Sequence, residues 1–121
     1  MLPSKPLVLV VEDDPDTGAL LTDVLGDEGY VVQVVDTALD AHEVVRRLGP
    51  QAVLLDLALP YRSGAALLAD LKADPDTAAI PVIVVSAYLE ALSSERAALA
   101  TALIAKPFEV HDLFAAIQAA A

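Results

Sequence analysis

The sequence predicts an α/β domain in which five strands alternate with five helices to form one parallel sheet, covered on both faces. Two observations carry that prediction. Short apolar runs recur along the chain, each followed by a stretch with apolar residues at helical spacing. One run, Ala52-Val53-Leu54-Leu55, is punctuated by Gly49-Pro50 before it and by Pro60 to Gly64 after it, and leads straight into a single carboxylate, Asp56. An unbroken apolar run reads as a strand buried on both faces. A carboxylate is costly to bury among hydrocarbon. Asp56 is therefore expected at the strand's C-terminal tip, where parallel sheets place their ligand sites.

Taken in order, Lys5 to Val11 is the first strand, closed by Glu12-Asp13-Asp14. Asp14 followed by Pro15 is a helix start, with Asp as N-cap and Pro at the first helical position. Leu20, Leu21, Val24 and Leu25 form the inward stripe of that helix, and Gly29 stands where a C-terminal cap belongs. Asp16 reads as a solvated first-turn acid. Val31 to Val35 is the second strand, with Tyr30 half-buried at its start. Thr37 to Asp40 resembles a capping box, and Ala41, Val44, Val45 and Leu48 share one side of the helix that follows.

After the Asp56 strand, Gly64 to about Ala73 is a short helix with Leu67, Leu68 and Leu71 inward, and Asp74-Pro75-Asp76 is a loop. Ile80 to Val85 is a fourth strand, and Leu89 to Ala100 an Ala-rich helix. Ala102 to Ala105 is the fifth strand, and Lys106-Pro107-Phe108 breaks the chain. The last helix starts near Glu109 and carries Val110, Leu113, Phe114 and Ile117 at helical spacing. His42 and His111 read as exposed helix residues rather than metal ligands or phosphodonors.

The length of 121 residues suits one domain spanning 1–121, with no repeat or linker. No stretch approaches the roughly 20 apolar residues of a membrane span. The N-terminal run stops at three acids, so it is not a signal peptide, and a cytoplasmic location is the expectation. The absence of Cys excludes disulfides, thiolate metal sites and a Cys nucleophile. Eighteen Asp/Glu against seven Lys/Arg give a net charge of −11, a poor match for nucleic acid or an anionic membrane.

Right-handed crossovers bring all the C-terminal strand ends to one rim. That rim gathers Glu12 and Asp13 from strand one, Asp56 from strand three, Ser86 from strand four and Lys106 from strand five. Asp14 has a sufficient structural task as a cap. Two unit charges 4 Å apart cost about 4 kcal/mol at an effective dielectric near 20. Such a cluster calls for a raised pKa or a cation. All-oxygen ligands suit Mg²⁺, and acids joined by one Lys suggest Mg²⁺-assisted phosphoryl chemistry.

These residues match a known pattern. The sequence resembles, over nearly its whole length, the receiver domain of two-component response regulators. The resemblance rests on Val-Val-Glu12-Asp13-Asp14, Leu-Leu-Asp56-Leu-Ala-Leu-Pro60 with Gly64, Val-Val-Ser86-Ala87, and Lys106-Pro107-Phe108, in that order and spacing. It implies a flavodoxin-like (βα)5 fold with strand order 2-1-3-4-5. It also implies that Asp56 accepts a phosphoryl group from a sensor histidine kinase or histidine phosphotransfer protein, and that the domain promotes its own phosphorylation and dephosphorylation. Asp13, Asp56 and the backbone carbonyl of Ala58 are the implied Mg²⁺ ligands, with Glu12 acting through water. Ser86 is the implied switch hydroxyl and Lys106 the phosphoryl contact. Pro60 and Gly64 shape the loop after Asp56, and Pro107 follows a cis bond.

This sequence departs from the family at several positions. Leu103 stands three before the lysine, where the family usually has Tyr or Phe, so output by a ring flip cannot occur. Ala58 replaces a common polar residue. Tyr88 borders the path of the hydrolytic water and is expected to slow phosphoryl loss. The last helix has no Lys or Arg and the fourth offers only Arg96, which argues against a charge-paired dimer through helix 4, strand 5 and helix 5. The same face, with Ala91, Ala98, Ala115 and Ala119, is a candidate for docking an output partner. A dehalogenase-like phosphatase would need a second Asp at position 58. A flavodoxin-like phosphate binder would need a Ser/Thr/Gly-rich first loop where this chain has acids. The remaining alternative is a receiver-like interaction module that works without phosphorylation.

Overall fold

A computed structural model describes residues 6–120. Five strands, β1 (Leu7–Val11), β2 (Val31–Val35), β3 (Ala52–Leu55), β4 (Val82–Ser86) and β5 (Ala102–Ala105), form one parallel sheet in the order β2-β1-β3-β4-β5. The helices are α1 (Pro15–Asp27), α2 (Ala38–Leu48), α3 (Gly64–Ala73), α4 (Ser94–Ala97) and α5 (Val110–Ala120). The fold is the doubly wound, flavodoxin-like architecture expected. None of the helices described is long and apolar enough to cross a membrane.

Strand side chains alternate between faces, and the core divides accordingly. Leu9, Val11, Val53, Leu55 and Val84 face α2 and α3, meeting Ala41, Val45, Leu67 and Leu71. Val8, Val10, Leu54, Ile83 and Val85 face the other way, meeting Leu21 and Leu25 of α1 and Leu113 and Ile117 of α5. β1, β3 and β4 are buried almost throughout, as unbroken Val/Leu/Ile runs require.

Local signals act largely as their chemistry dictates. The Asp14 carboxylate accepts from Thr17 N–H (3.2 Å) and caps α1 above Pro15. α1 ends with Gly29 at φ 95°, while Tyr30 N–H donates to the Leu25 carbonyl (3.1 Å). Gly49, at φ 55°, closes α2 by donating to the Val45 carbonyl (2.9 Å). Tyr30 is half-buried and His111 exposed, as read.

Other expectations are corrected. The Leu89–Ala100 helix is instead a 3₁₀ turn at Leu89–Ala91 and the single turn of α4, with no buried residue in either. Leu92 is extended, and the Ser93 hydroxyl accepts from Arg96 N–H (3.2 Å), starting a new helix where the old one should continue. β4 starts at Val82 rather than Ile80, because Ile80 N–H closes a turn onto the Thr77 carbonyl (3.0 Å). Thr37 stands at the N-cap of α2 but its side chain makes no capping bond. Leu20 and Leu48 lie exposed rather than in the inward stripes. His42 is partly buried, its Nε2 2.8 Å from Asp74, which lies after α3. Lys5, read as the start of the first strand, lies outside the described residues.

Candidate functional site

The register of the sheet builds the site. Val11 of β1 pairs with Leu55 of β3, so Glu12 and Asp56 emerge side by side. The ladder continues past both strands: Asp56 N–H donates to the Val11 carbonyl (3.1 Å) and Glu12 N–H to the Val35 carbonyl (3.0 Å). Lys106 arrives from β5, its backbone N–H donating to the Ser86 carbonyl (3.0 Å). Glu12, Asp56 and Lys106 follow the side-chain alternation of Val10, Leu54 and Ile104, so all three belong to the face that α1 and α5 cover.

The Lys106 ammonium donates to one Asp56 carboxylate oxygen at 3.0 Å and to Glu12. The second Asp56 oxygen accepts from Ala58 N–H (3.2 Å), and Asp14 N–H reaches Glu12 at 3.4 Å. Glu12 and Asp56 are buried, and Asp13 is exposed. One carboxylate oxygen from each of the three lies within 4.8 Å of the others. Donors of this kind, all hard oxygens and two of them drawn from water, fit Mg²⁺.

Burial pushes the Glu12 carboxyl above its ordinary range, and the neighbouring Asp56 adds to the shift against the pull of Lys106. Burial also acts to raise Asp56, but hydrogen bonds with Lys106, Glu12 and the Ala58 N–H outweigh it and hold Asp56 below the usual range. The two carboxyls are thus pushed in opposite directions, Glu12 up and Asp56 down. Burial lowers the Lys106 ammonium, but its two carboxylate partners outweigh this and raise it.

Ser86 ends β4 and is fully buried, its hydroxyl accepting from Tyr88 N–H (3.1 Å). It follows the alternation of Val82 and Val84 and so belongs to the opposite face from Lys106. Tyr88 itself is exposed, and the bond between Lys106 and Pro107 is cis. Gly64 opens α3 and donates to the Leu57 carbonyl (2.9 Å), which folds the loop back onto Asp56. The sequence reading missed the backbone contributions of Ala58 and Tyr88. An N–H carries no residue signature, so no signal could have found them.

Compared with known families, residues 8–118 match the response regulator receiver domain. The chain belongs to that family. The DNA-binding response regulator MtrA of Mycolicibacterium smegmatis is 33% identical to this receiver domain over 114 residues, covering 93% of this chain and 49% of MtrA. This receiver domain therefore spans about half of that relative's length. A CheY-like response regulator receiver domain from Methylobacillus flagellatus has a similar structure, with TM-score 0.87 and 28% identity, covering 98% of this chain and all (100%) of that one. The receiver domain of a sensor histidine kinase from Pseudomonas aeruginosa PAO1 superposes with TM-score 0.84 at 27% identity, covering 96% and 97% of the two chains. That protein holds a magnesium ion coordinated in its active site cleft. This chain is a receiver domain of two-component signalling.

Proposed function

We propose that this receiver domain takes a phosphoryl group onto Asp56 from a phosphohistidine of a sensor histidine kinase or histidine phosphotransfer protein. One observation carries the reading: Asp56 bonded to Lys106, with the carboxylates of Glu12 and Asp13 beside it. An Asp56 oxygen attacks phosphorus, the P–N bond breaks, and its electron pair leaves with the imidazole nitrogen. The product is an acyl phosphate. The Lys106 ammonium, freed from one carboxylate oxygen, is placed to hold a phosphoryl oxygen instead.

Asp13, Asp56 and the Ala58 carbonyl would hold Mg²⁺, with Glu12 acting through water. When bound, the ion neutralises charge on the transferring oxygens. Ser86, whose hydroxyl accepts from Tyr88 N–H, would move to donate to the new group, which ties the phosphoryl state to the segment after β4. Reversing a 1:99 population needs about 5.5 kcal/mol, and hydrogen bonds to charged groups contribute about 1.5–3 kcal/mol each. Two or three such bonds reach that range.

Output is proposed through the face of α4, β5 and α5, where Leu103, Ala91, Ala98, Ala115 and Ala119 are exposed. The domain over residues 1–121 and a cytoplasmic location belong to the same reading. The test is intact mass after acetyl phosphate with Mg²⁺. A gain of one phosphoryl group, about 80 Da, that is lost in Asp56→Asn is the expected result. The exposed Leu103, at 44%, favours one second reading: an interaction module that works unphosphorylated. No mass gain, with partner binding retained in Asp56→Asn, selects it.

A further inference from the structure

The net charge of −11 is not evenly spread. Residues 6–45 hold ten Asp/Glu and no Lys or Arg, whereas residues 46–121 hold eight Asp/Glu against six Lys/Arg. The first stretch comprises β1, α1, β2 and most of α2, so the surplus acid lies at the β2 end of the sheet.

That end is also a free edge. Among the described residues no strand pairs with the outer side of β2. Val31 N–H donates inward to the Pro6 carbonyl (2.9 Å), and the Val35 carbonyl accepts from Glu12 N–H (3.0 Å). The parallel ladder alternates, so Val31, Gln33 and Val35 bond to β1 while Val32 and Val34 present N–H and C=O outward. Proteins usually guard such an edge with Lys, Pro or a bulge. Val31 to Val35 contains neither Lys nor Pro.

Two apolar side chains of the edge strand itself, Val31 and Val34, are exposed. A groove of about 780 Å³ beside Val34 is lined by the acids Glu12, Asp13, Asp14, Asp36 and Asp40. A second copy of this chain would set two surplus-acid ends against each other, and like charges across an interface oppose pairing.

We propose that the free edge of β2 is a strand-addition site for an extended, Lys/Arg-bearing segment of a partner protein. The segment's backbone pairs with Val32 and Val34. Its apolar side chains cover Val31 or Val34, and its cations meet Asp36 and Asp40. The groove borders the site around Asp56 through Glu12 and Asp13, but strand addition at Val32 and Val34 does not rest on phosphoryl transfer.

The experiment titrates the ¹⁵N-labelled 121-residue chain with a short peptide of alternating Lys and Val. The expected result is slowed amide exchange at Val32 and Val34 and an affinity that falls as salt is raised. Asp36→Asn combined with Asp40→Asn, and separately N-methylation of every peptide amide, each weaken binding about tenfold, equivalent to about 1.4 kcal/mol. Neither change touches the residues around Asp56, and acetyl phosphate labelling of the Asp36/Asp40 variant stays at the level of the parent. Three results overturn the proposal: equal binding of the N-methylated peptide, equal binding of a Glu-Val peptide, or shifts confined to other faces.

Discussion

A methyl group at Gly64 would lie 2.1 Å from the Asp56 carbonyl oxygen and 2.7 Å from the Leu57 Cα. Both obstacles are backbone, so the clash cannot be relieved by turning a side chain. Gly64→Ala is therefore expected to push the loop after Asp56 outward. It should cost about 3 kcal/mol, at the upper end for overpacking, and reduce phosphoryl uptake. Urea denaturation checks the first effect and intact mass after acetyl phosphate the second.

Lys106→Ala leaves Glu12 and Asp56 buried together without their cation. Removing one member of a buried pair costs about 3 kcal/mol at neutral pH. Without the ammonium, burial and the neighbouring Asp56 hold the folded-state pKa of Glu12 still further above its unfolded value. The penalty is absent below the unfolded value of Glu12 and grows as pH rises through the folded one. Thermal melts of variant and parent should converge in acid and separate toward neutrality, and uptake from acetyl phosphate should fall.

The Asp74 carboxylate accepts from Arg46 (2.7 Å), from Asp76 N–H (2.9 Å) and meets His42 (2.8 Å), joining α2 to the end of α3. Arg46 first, then the Asp76 N–H and His42, hold this carboxyl well below the usual range. A depressed acid stabilises the fold above its unfolded pKa, about 3.9, and that contribution is lost as pH falls toward the folded value. Asp74→Asn should melt lower than the parent at neutral pH, with the gap closing below about pH 4.

Tyr88 stands two residues after the buried Ser86 and exposes 55% of its surface. If its ring shields an aspartyl phosphate from water, Tyr88→Ala should speed loss of the label from Asp56 several-fold. An unchanged decay rate after removal of the phosphodonor would deny Tyr88 this role.

The segment from Tyr88 to Ala100 has no buried residue in its 3₁₀ turn or in α4. Few buried contacts mean low local stability. Its amides should exchange faster than those of α3 or α5 in native-state hydrogen exchange, and Ser86→Ala should abolish any change there on phosphorylation.

The fold was legible because β1, β3 and β4 are unbroken apolar runs that end in chemistry-bearing residues, and Gly29, Gly49 and Pro15 mark helix ends by backbone geometry alone. Glu12, Asp13, Asp56 and Lys106 were legible as one group once parallel winding was assumed. What could not be read depends on distance in sequence. His42 meets Asp74 across 32 residues, and no pattern in α2 announces it. The break within the fourth helix was written in Ser93 and Ser94, but side-chain capping competes with helix continuation in a balance that an Ala-rich stretch conceals. Leu20 and Leu48 are apolar and lie next to inward positions in the chain, yet both are exposed, and spacing alone does not separate them from the buried Leu21 and Val45.

The uneven placement of acids gives the molecule a large electric dipole, directed along the sheet. A cationic body drawing near feels a torque before any contact, over about 8 Å at physiological ionic strength. It thus meets the domain with the β2 side leading. A phosphoryl group on Asp56 would add negative charge at the middle of the sheet, beside β3, and so speed the approach of positively charged bodies in dilute salt without turning the field further toward β2.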